Sequence, residues 1–441
     1  MPIPSTLRAL RYRDFRLFFS GQLISLIGTW MQNVAQSWLV YRLTGSSILL
    51  GVVGFCGQIP VFLLSPIGGI TADRYSRLRI VIVTQIASMF LALVLAALTL
   101  SGRVHVWQII ALAILLGIVN AFDIPSRQAF ITDMVGKSDM MNAIALNSAM
   151  FNGARIVGPA VAGILVASIG EGWCFFANGI SYVAVILGLL LMRAYPPVPR
   201  PNRASALESI VEGFRFVIHK APIFALLLLL GVISLTAMPF MVLMPIFADR
   251  ILHGGARGLG LLMGASGVGA LISAIVLAMR RSVSGLGKWV AVSAGSFGFM
   301  LILFSLSRQF WLSFALLIPI GFFMMMQWSA SNTLIQTMAP DNLRGRVMAI
   351  YSMMFMGMAP VGALLAGVLA GRLGAPLTVG AGGSIAVVGA AGFALRLPSL
   401  RAEARELIVA QEMSAGDPPQ EMIGGNLAFE VGEKPAGIDS R

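Results

Sequence analysis

The sequence predicts an all-α membrane protein with twelve transmembrane helices. Hydrophobic residues make up 57% of the 441-residue chain and charged residues only 11%, whereas soluble globular proteins carry about 25% charged residues. The apolar residues lie in runs long enough to cross a bilayer, which takes about 20 helical residues. No alternating pattern of a membrane barrel is present, so helices are the structure that satisfies the backbone polar groups in lipid.

Twelve apolar segments are predicted to span the membrane. They cover roughly residues 15–43, 48–71, 80–100, 106–130, 143–169, 173–192, 223–248, 259–279, 289–306, 310–335, 347–370 and 377–395.

The longest connection, 194–221, is rich in proline and then charged, and it divides the predicted spans into two equal groups. We therefore predict an N-terminal six-helix bundle (1–193), a cytoplasmic linker (194–221), a C-terminal six-helix bundle (222–395) and a cytoplasmic tail (396–441). The tail is charged and then rich in Gly and Pro, so we expect a short helix followed by disorder.

The basic residues predict that both termini lie in the cytoplasm, because cytoplasmic loops carry the excess of Lys and Arg. In that orientation the smaller set lies on the far side: Arg42, Arg103, Arg250, Arg257, Arg308 and Arg372. Basic residues scattered between apolar runs are typical of a membrane protein rather than of a nucleic-acid interface, despite the net charge of +13. We expect the lipid bilayer and a small-molecule substrate as partners, no nucleic acid, and a monomer.

A polar stripe follows one face of the first predicted span: Gln22, Ser25, Thr29, Gln32 and Gln36, with Asn33 beside it. Spacings of three and four residues place these side chains on one side of a helix. Polar faces avoid lipid, so the stripe has to face other helices or water. We predict the wall of a substrate cavity, because a continuous stripe exceeds what local packing needs; hydrogen bonding between helices alone is the alternative.

Deep charged residues are few, and they predict a site of ion coupling. Asp123 and Arg127 lie on the fourth span and Arg155 near the middle of the fifth, and charges within spans are functional by default. Arg155 needs a partner or a wet cavity, and Asp123 is the only deep carboxylate in this half. Asp123 and Arg127 can also satisfy each other, since they are one helical turn apart. The alternative to proton coupling is a permanent structural ion pair.

An internal repeat relates the two halves, aligning Trp107 with Trp311 and 150–153 with 354–357. The position equivalent to Asp123 is Gln327, and the position equivalent to Arg155 is an alanine. The deep charge therefore belongs to the first half. We predict that Gln327 and Trp328 line the wall of the substrate cavity in the second half, which lacks a deep charge.

No predicted span contains histidine, and the deep residues supply neither a metal cluster nor a nucleophile–base pair. We therefore expect no metal, no cofactor and no enzymatic activity. A sensor would need a sizeable soluble output domain, and the tail is too short and too poor in core residues for one.

The segment 69–79, GITADRYSRLR, resembles the signature loop between the second and third helices of the major facilitator superfamily of transporters. The resemblance implies that fold, with this loop latching the two halves on the cytoplasmic side. The residues that carry it are Gly69, Asp73, Arg74, Arg77 and Arg79. The resemblance also implies that Asp73 faces the start of the eleventh helix near Val347 and that Arg77 pairs with Asp133. The alternative is that the basic loop only sets the topology.

Three further segments refine the resemblance. Gly158 and Pro159 lie in a run of small residues similar to the Gly-Pro motif of antiporters and exporters, and the proline predicts a helix bend. Segments 21–30 and 120–129 resemble the bacterial subgroup of enterobactin and macrolide exporters.

These resemblances imply a proton-driven exporter of an amphipathic small molecule, a siderophore or a drug, in the bacterial inner membrane. Substrate would bind near the midplane between the halves, which rock around it. An importer of the same fold is the alternative.

Overall fold

The computed structural model of the protein describes residues 5–136, 139–193, 206–280 and 285–415, and every regular element in these ranges is a helix. A 3₁₀ helix (Ser5–Arg11) precedes the first group of long helices. These are α1 (Arg13–Thr44), α2 (Ser47–Arg74), α3 (Arg77–Leu100), α4 (Val106–Met134), α5 (Met140–Ile169) and α6 (Glu171–Leu190).

The remaining helices follow the linker region. They are α7 (Ala206–Ile218), α8 (Ala221–Thr236), α9 (Met244–Ile246), α10 (Gly255–Ala278), α11 (Leu286–Leu306), α12 (Phe310–Met338), α13 (Asp341–Ser352), α14 (Met358–Leu373) and α15 (Ala375–Ala415). A 3₁₀ turn joins α8 to α9 and a π turn follows α9, which gives one apolar unit, Ala221–Ile251. A second π turn, Met353–Gly357, connects α13 to α14.

Eleven of the described helical units are long and apolar enough to cross a membrane. They correspond to the second through twelfth predicted spans. The first predicted span coincides with α1, which has 32 residues but is not among the eleven, because its polar stripe lowers its hydropathy. That α1 is the twelfth crossing stays a prediction.

The helices pack in two sets, which we call the first set (α1–α6) and the second set (α8–α15). In the first set α1 packs on α5 and α6, α3 on α4 and α6, and α2 on α4. In the second set α15 packs on α8 and α11, and α12 on α10 and α11. The two sets meet along two seams, α2 with α14 and α5 with α10.

The ends of the first-set helices define two faces of the molecule. One, which we call the basic face, holds the start of α1, where Arg11 Nη2 lies 2.6 Å from Asp139 Oδ2. The same carboxylate oxygen accepts a hydrogen bond from Tyr12 Oη at 3.0 Å, which joins the start of α1 to the start of α5. The other, the opposite face, holds the end of α1 and the start of α6, where Arg42 binds Glu171.

Close backbone approach at the seams depends on glycine. A Cβ added to Gly260 of α10 would lie 2.5 Å from the Pro159 carbonyl oxygen and 2.6 Å from Gly163 Cα of α5. A Cβ added to Gly51 of α2 would lie 2.6 Å from the Ala363 carbonyl oxygen of α14. Such contacts are below van der Waals distance, so each seam admits only a residue without a side chain.

The α2 seam separates toward the basic face. Gly69 lies on the same side of α2 as Gly51, about five turns further along. A Cβ added to Gly69 would meet nothing within 4 Å. Between them, Phe62 still contacts the second set, because a Cβ on Gly357 would lie 2.6 Å from its ring. The sets are therefore in contact toward the opposite face and apart at the Gly69 end of this seam.

The predicted linker and tail coincide with helices where the structure describes them. Helix α7 lies in the predicted linker, and its Glu212 forms an ion pair with Arg346 of α13, so this part of the linker docks on the second set. Helix α15 continues without a break past the predicted end of the bundle at 395 and reaches Ala415. Residues 194–205 and 416–441 lie outside the described part of the chain.

We predict that Gly260→Ala destabilises the protein relative to Gly264→Ala, a matched change one turn along the same helix. A Cβ on Gly264 would meet only the Ile156 carbonyl oxygen, at an ordinary 3.8 Å. Both changes gain about 0.5–1 kcal/mol of backbone entropy, but overpacking at Gly260 costs about 1–3 kcal/mol. Melting of the two purified variants in detergent measures the difference, and equal melting temperatures would contradict the seam contact.

Candidate functional site

Asp123 is buried in the first set and fully hydrogen-bonded. Its side chain accepts from Thr84 Oγ1 at 2.8 Å and Gln85 Nε2 at 2.9 Å, both on α3, through Oδ1. Its Oδ2 accepts from Arg127 Nε at 3.0 Å on its own helix. The pair that the one-turn spacing predicts is therefore present, and two neutral donors stabilise the carboxylate as well. A buried charge is tolerated under these conditions, because it is both paired and hydrogen-bonded.

Arg155 is the other deep charge, and its surroundings are aromatic. The residue is 7% exposed, and its guanidinium carbon lies 5.7 Å from the centroid of the Trp30 ring on α1. Phe151, one turn before Arg155, meets the same Trp30 ring edge-on at 5.6 Å. Within the described ranges, Arg155 has no hydrogen bond or ion pair.

The structure corrects the expectation that Asp123 serves as the partner of Arg155. Thr84 and Gln85 occupy one oxygen of Asp123 and Arg127 occupies the other. The carboxylate thus faces α3 and its own helix, whereas Arg155 faces α1. Hydropathy predicts the depth of both residues but not the directions in which their side chains point.

The centre of the polar stripe on α1 faces α6. Gln32 is 5% exposed, and its Oε1 accepts a hydrogen bond from Asn178 Nδ2 at 2.7 Å. Thr29 Oγ1 lies 3.4 Å from Tyr182 Oη and donates to the Ser25 carbonyl at 2.9 Å. At these positions the structure favours the alternative interpretation, hydrogen bonding between helices, over a cavity wall.

The ends of the stripe differ from its centre. Gln22 is 3% exposed and its Oε1 has no partner within the described residues. Gln36 is half-buried and Asn33 is exposed. The predicted roles of these three residues in a substrate cavity stay predictions.

Trp328 of α12 lies against α13 and the π turn, and Gln327 precedes it on the same helix. Gln327 is 1% exposed, and its Nε2 lies 3.4 Å from Ser331 Oγ. The Trp328 ring meets Phe355 edge-on at 4.5 Å, and its carbonyl accepts from Tyr351 Oη at 3.2 Å. In the described part of the chain, Gln327 Oε1 and Trp328 Nε1 are buried without a hydrogen-bond partner, so one acceptor and one donor are unsatisfied at this point of the second set.

Arg77 fixes the basic loop to the end of α4. Its Nη1 donates to Asp133 Oδ1 at 2.7 Å and to the Ala129 carbonyl at 3.3 Å, and its Nε donates to the Ala72 carbonyl at 3.2 Å. Asp73 Oδ1 lies 3.7 Å from Arg77 Nη2. The pair of Arg77 with Asp133 that the resemblance implies is thus present.

The other residues of the predicted latch lie at the surface. Arg74 and Arg79 are exposed, and Gly69 lies where the α2 seam has separated. The approach of Asp73 to the helix near Val347, and the latch itself, stay predictions.

The Gly158–Pro159 segment lies inside α5, which is assigned as one helix from Met140 to Ile169. A Cβ on Gly158 would lie 2.5 Å from Trp30 Cβ and 2.9 Å from the Ile27 carbonyl oxygen. Gly158 therefore permits α5 to pack on α1 at the level of Arg155. Its role as a moving bend stays a prediction.

Sequence reasoning missed a polar contact between the two sets at the opposite face. Tyr41 Oη of α1 donates to Asp249 Oδ2 of the Ala221–Ile251 unit at 2.8 Å. Arg250 lies 5.6 Å over the Tyr41 ring and donates through Nη2 to the Gly45 carbonyl at 3.3 Å. We call Tyr41, Gly45, Asp249 and Arg250 the opposite-face gate. Its signal in the sequence is an Asp-Arg pair and a tyrosine at span ends on the same side of the membrane.

A metal site is not formed in the described part of the chain, where His, Cys, Asp and Glu make no group of three that could hold an ion. The two cysteines, Cys56 and Cys174, are free thiols.

Comparison with known proteins identifies the family. Residues 4–420 match the model of a family described as transmembrane secretion effectors, and the chain belongs to this family of the major facilitator superfamily. The protein is a multi-pass membrane transporter of small molecules and not an enzyme. The resemblance drawn from the loop at 69–79 and the exporter-like segments is confirmed.

Three bacterial relatives are similar over most of the chain. The staphyloferrin A transporter of Staphylococcus aureus is 29% identical over 362 residues, which cover 81% of this chain and 90% of the relative. The enterobactin exporter EntS of Shigella boydii is 27% identical over 384 residues, 86% of this chain and 89% of the relative. The multidrug efflux pump Tap of Mycolicibacterium fortuitum is 26% identical over 359 residues, 79% and 87%.

Solved structures show the same fold at low identity. The nucleoside transporter NupG has a TM-score of 0.70 and 13% identity, with 88% of this chain and 99% of that chain covered. A POT family transporter in complex with 5-aminolevulinic acid has a TM-score of 0.70 and 11% identity, with 88% and 96% covered.

We predict that Tyr41 and Asp249 are energetically coupled. Their hydrogen bond joins a hydroxyl to a charged acceptor, which is worth about 1.5–3 kcal/mol. A double-mutant cycle with Tyr41→Phe, Asp249→Ala and the double variant, followed by thermal unfolding in detergent, measures the coupling, because each single change removes one partner of the hydrogen bond. Additive effects of the two changes would show that the gate contact does not stabilise this conformation.

Proposed function

We propose that the protein exports a small amphipathic molecule through alternating access, driven by the proton gradient. In this proposal α1 is the twelfth membrane crossing, and the first and second sets are the two six-helix bundles. The observation that carries it is the unequal contact of the two sets. They meet closely at Gly163 and Gly260 and at the opposite-face gate, but the α2 seam is open at Gly69.

The direction of this opening follows from the charge distribution. The basic face carries the larger share of Lys and Arg, and such a face lies in the cytoplasm. Both termini would then be cytoplasmic, in the bacterial inner membrane. The conformation described would admit substrate from the cytoplasm, which is the loading state of an exporter.

The relatives support the class of substrate. Two of them carry siderophore names, staphyloferrin and enterobactin, and one is a multidrug efflux pump. We propose a siderophore or a drug as the exported molecule and a monomer as the functional unit.

Proton coupling is proposed at the Asp123–Arg127 pair. Protonation of Asp123 would remove the charge that holds Arg127 at 3.0 Å. Arg127 is the more accessible partner, with a side chain 20% exposed. Entry of water at Arg127 would therefore expose the pair to protons in one conformation and exclude them in another.

A transport assay with an imposed pH gradient tests the function. The purified protein is reconstituted in proteoliposomes with a fluorescent amphipathic molecule, naphthoate, as the reporter dye. We expect accumulation of the dye in those vesicles whose basic face is exposed to the medium, when the lumen is acidic. Dye uptake that requires an acidic medium instead would favour the importer alternative, and no gradient-dependent movement of any tested siderophore or drug would refute coupled transport.

We predict that Asp123→Asn abolishes gradient-driven transport while the protein stays folded. An amide retains the size of the side chain and can still accept a hydrogen bond from Thr84, but it cannot exchange a proton. The matched control is Asp139→Asn, which also removes a buried carboxylate from an ion pair, that with Arg11 at the basic face. Full coupled transport by Asp123→Asn, measured beside an unchanged melting temperature, would exclude the coupling role.

A further inference from the structure

Arg155 is a buried cation, and no carboxylate in the described part of the chain neutralises its charge. It is 7% exposed, and within the described residues the Trp30 ring is the one group that stabilises its guanidinium charge. Removing a guanidinium from water costs far more than a cation–π contact returns. Asp123 is the carboxylate expected at a similar depth in the membrane, but its oxygens already accept hydrogen bonds from Arg127, Thr84 and Gln85. An anion from outside the chain would supply the missing partner.

The position of Arg155 on α5 directs it toward the space between the two sets. Gly158 packs on α1, whereas Ile156 and Gly163 pack on α10. At 3.6 residues per turn, Arg155 projects between these two contact surfaces. The lipid side of α5 is the reverse one, where Val157 is 44% and Ile164 59% exposed.

An accessible strip leads from the basic face to Arg155. Ile144, Ser148 and Phe151 precede it at spacings of four and three residues, so they share its side of the helix. Ile144 is 44% and Phe151 43% exposed, and Ser148 is exposed as well. Beyond Arg155 the same side is closed, because Ala162 is fully buried at 0%. The strip thus ends at the guanidinium.

We propose that Arg155 binds a carboxylate of the transported molecule, with Trp30 and Phe151 packing on the aromatic or apolar part beside it. A guanidinium presents paired donors that match the two oxygens of a carboxylate. One cation among aromatic rings suits a single carboxylate, since a phosphate dianion would require further donors. The substrate class is therefore an amphipathic aromatic acid, and this inference deepens, and rests on, the proposed transport function.

Equilibrium binding to the full-length protein in nanodiscs tests the inference without transport. The probes are naphthoate and naphthamide, which have the same ring system and differ in charge. We expect wild type to bind naphthoate at least about tenfold more tightly than naphthamide. Arg155→Gln should weaken naphthoate binding about tenfold and leave naphthamide within about twofold. Arg103→Gln, a matched change at an exposed loop residue, should alter neither.

Equal affinities of wild type for the two probes, binding of neither probe, or unchanged acid preference in Arg155→Gln would overturn the proposal. Should Arg155→Gln not fold, Arg155→Lys keeps the charge and loses the paired donors, and it should bind naphthoate measurably more weakly than wild type. Acid-selective binding that depends on Arg155, together with no transport in proteoliposomes, would refute the coupled transport but not the carboxylate site.

Discussion

Close packing of helix backbones at the two seams is the constraint on which the rest of the structure depends. In lipid, helices gain no hydrophobic free energy by meeting, so association depends on van der Waals contact and polar bonds. The glycines at α5–α10 and α2–α14 allow that contact toward the opposite face. The Gly69 end of α2 lacks such a contact. The two sets are therefore held together toward the opposite face, while the surface of α2 near Gly69 remains accessible.

The deep charges of the first set have different environments, and this difference gives them different chemistry. Asp123 and Arg127 neutralise each other inside a hydrogen-bonded group that includes α3. Arg155 lies at the end of an accessible strip beside an aromatic pair. We propose proton exchange at the first arrangement, where water can reach Arg127, and anion binding at the second, because a guanidinium keeps its charge.

At the opposite face, contacts within the first set and contacts between the sets differ in chemistry: the first set has an ion pair, whereas the two sets are joined by hydrogen bonds. Arg77 with Asp133, and Arg42 with Glu171, join helices of the first set and can persist when the sets move. Tyr41 with Asp249 joins the two sets, and in the proposed alternating access this hydrogen bond would break before the opposite face opens. In the same proposal, this hydrogen bond, that of Arg250 with the Gly45 carbonyl and the glycine seams would together set a barrier that ligand binding and protonation offset.

The sequence alone determined the helical membrane class, the superfamily, the depth of each charge and the Asp123–Arg127 pair, because hydropathy, loop motifs and one-turn spacing are local properties of a helix. Only the tertiary structure decided that Thr29 and Gln32 face α6, that Asp123 does not reach Arg155, and that Tyr41 meets Asp249. Spacing fixes which residues share a face, but the rotation of each helix about its axis is set by glycine contacts with neighbours far along the chain.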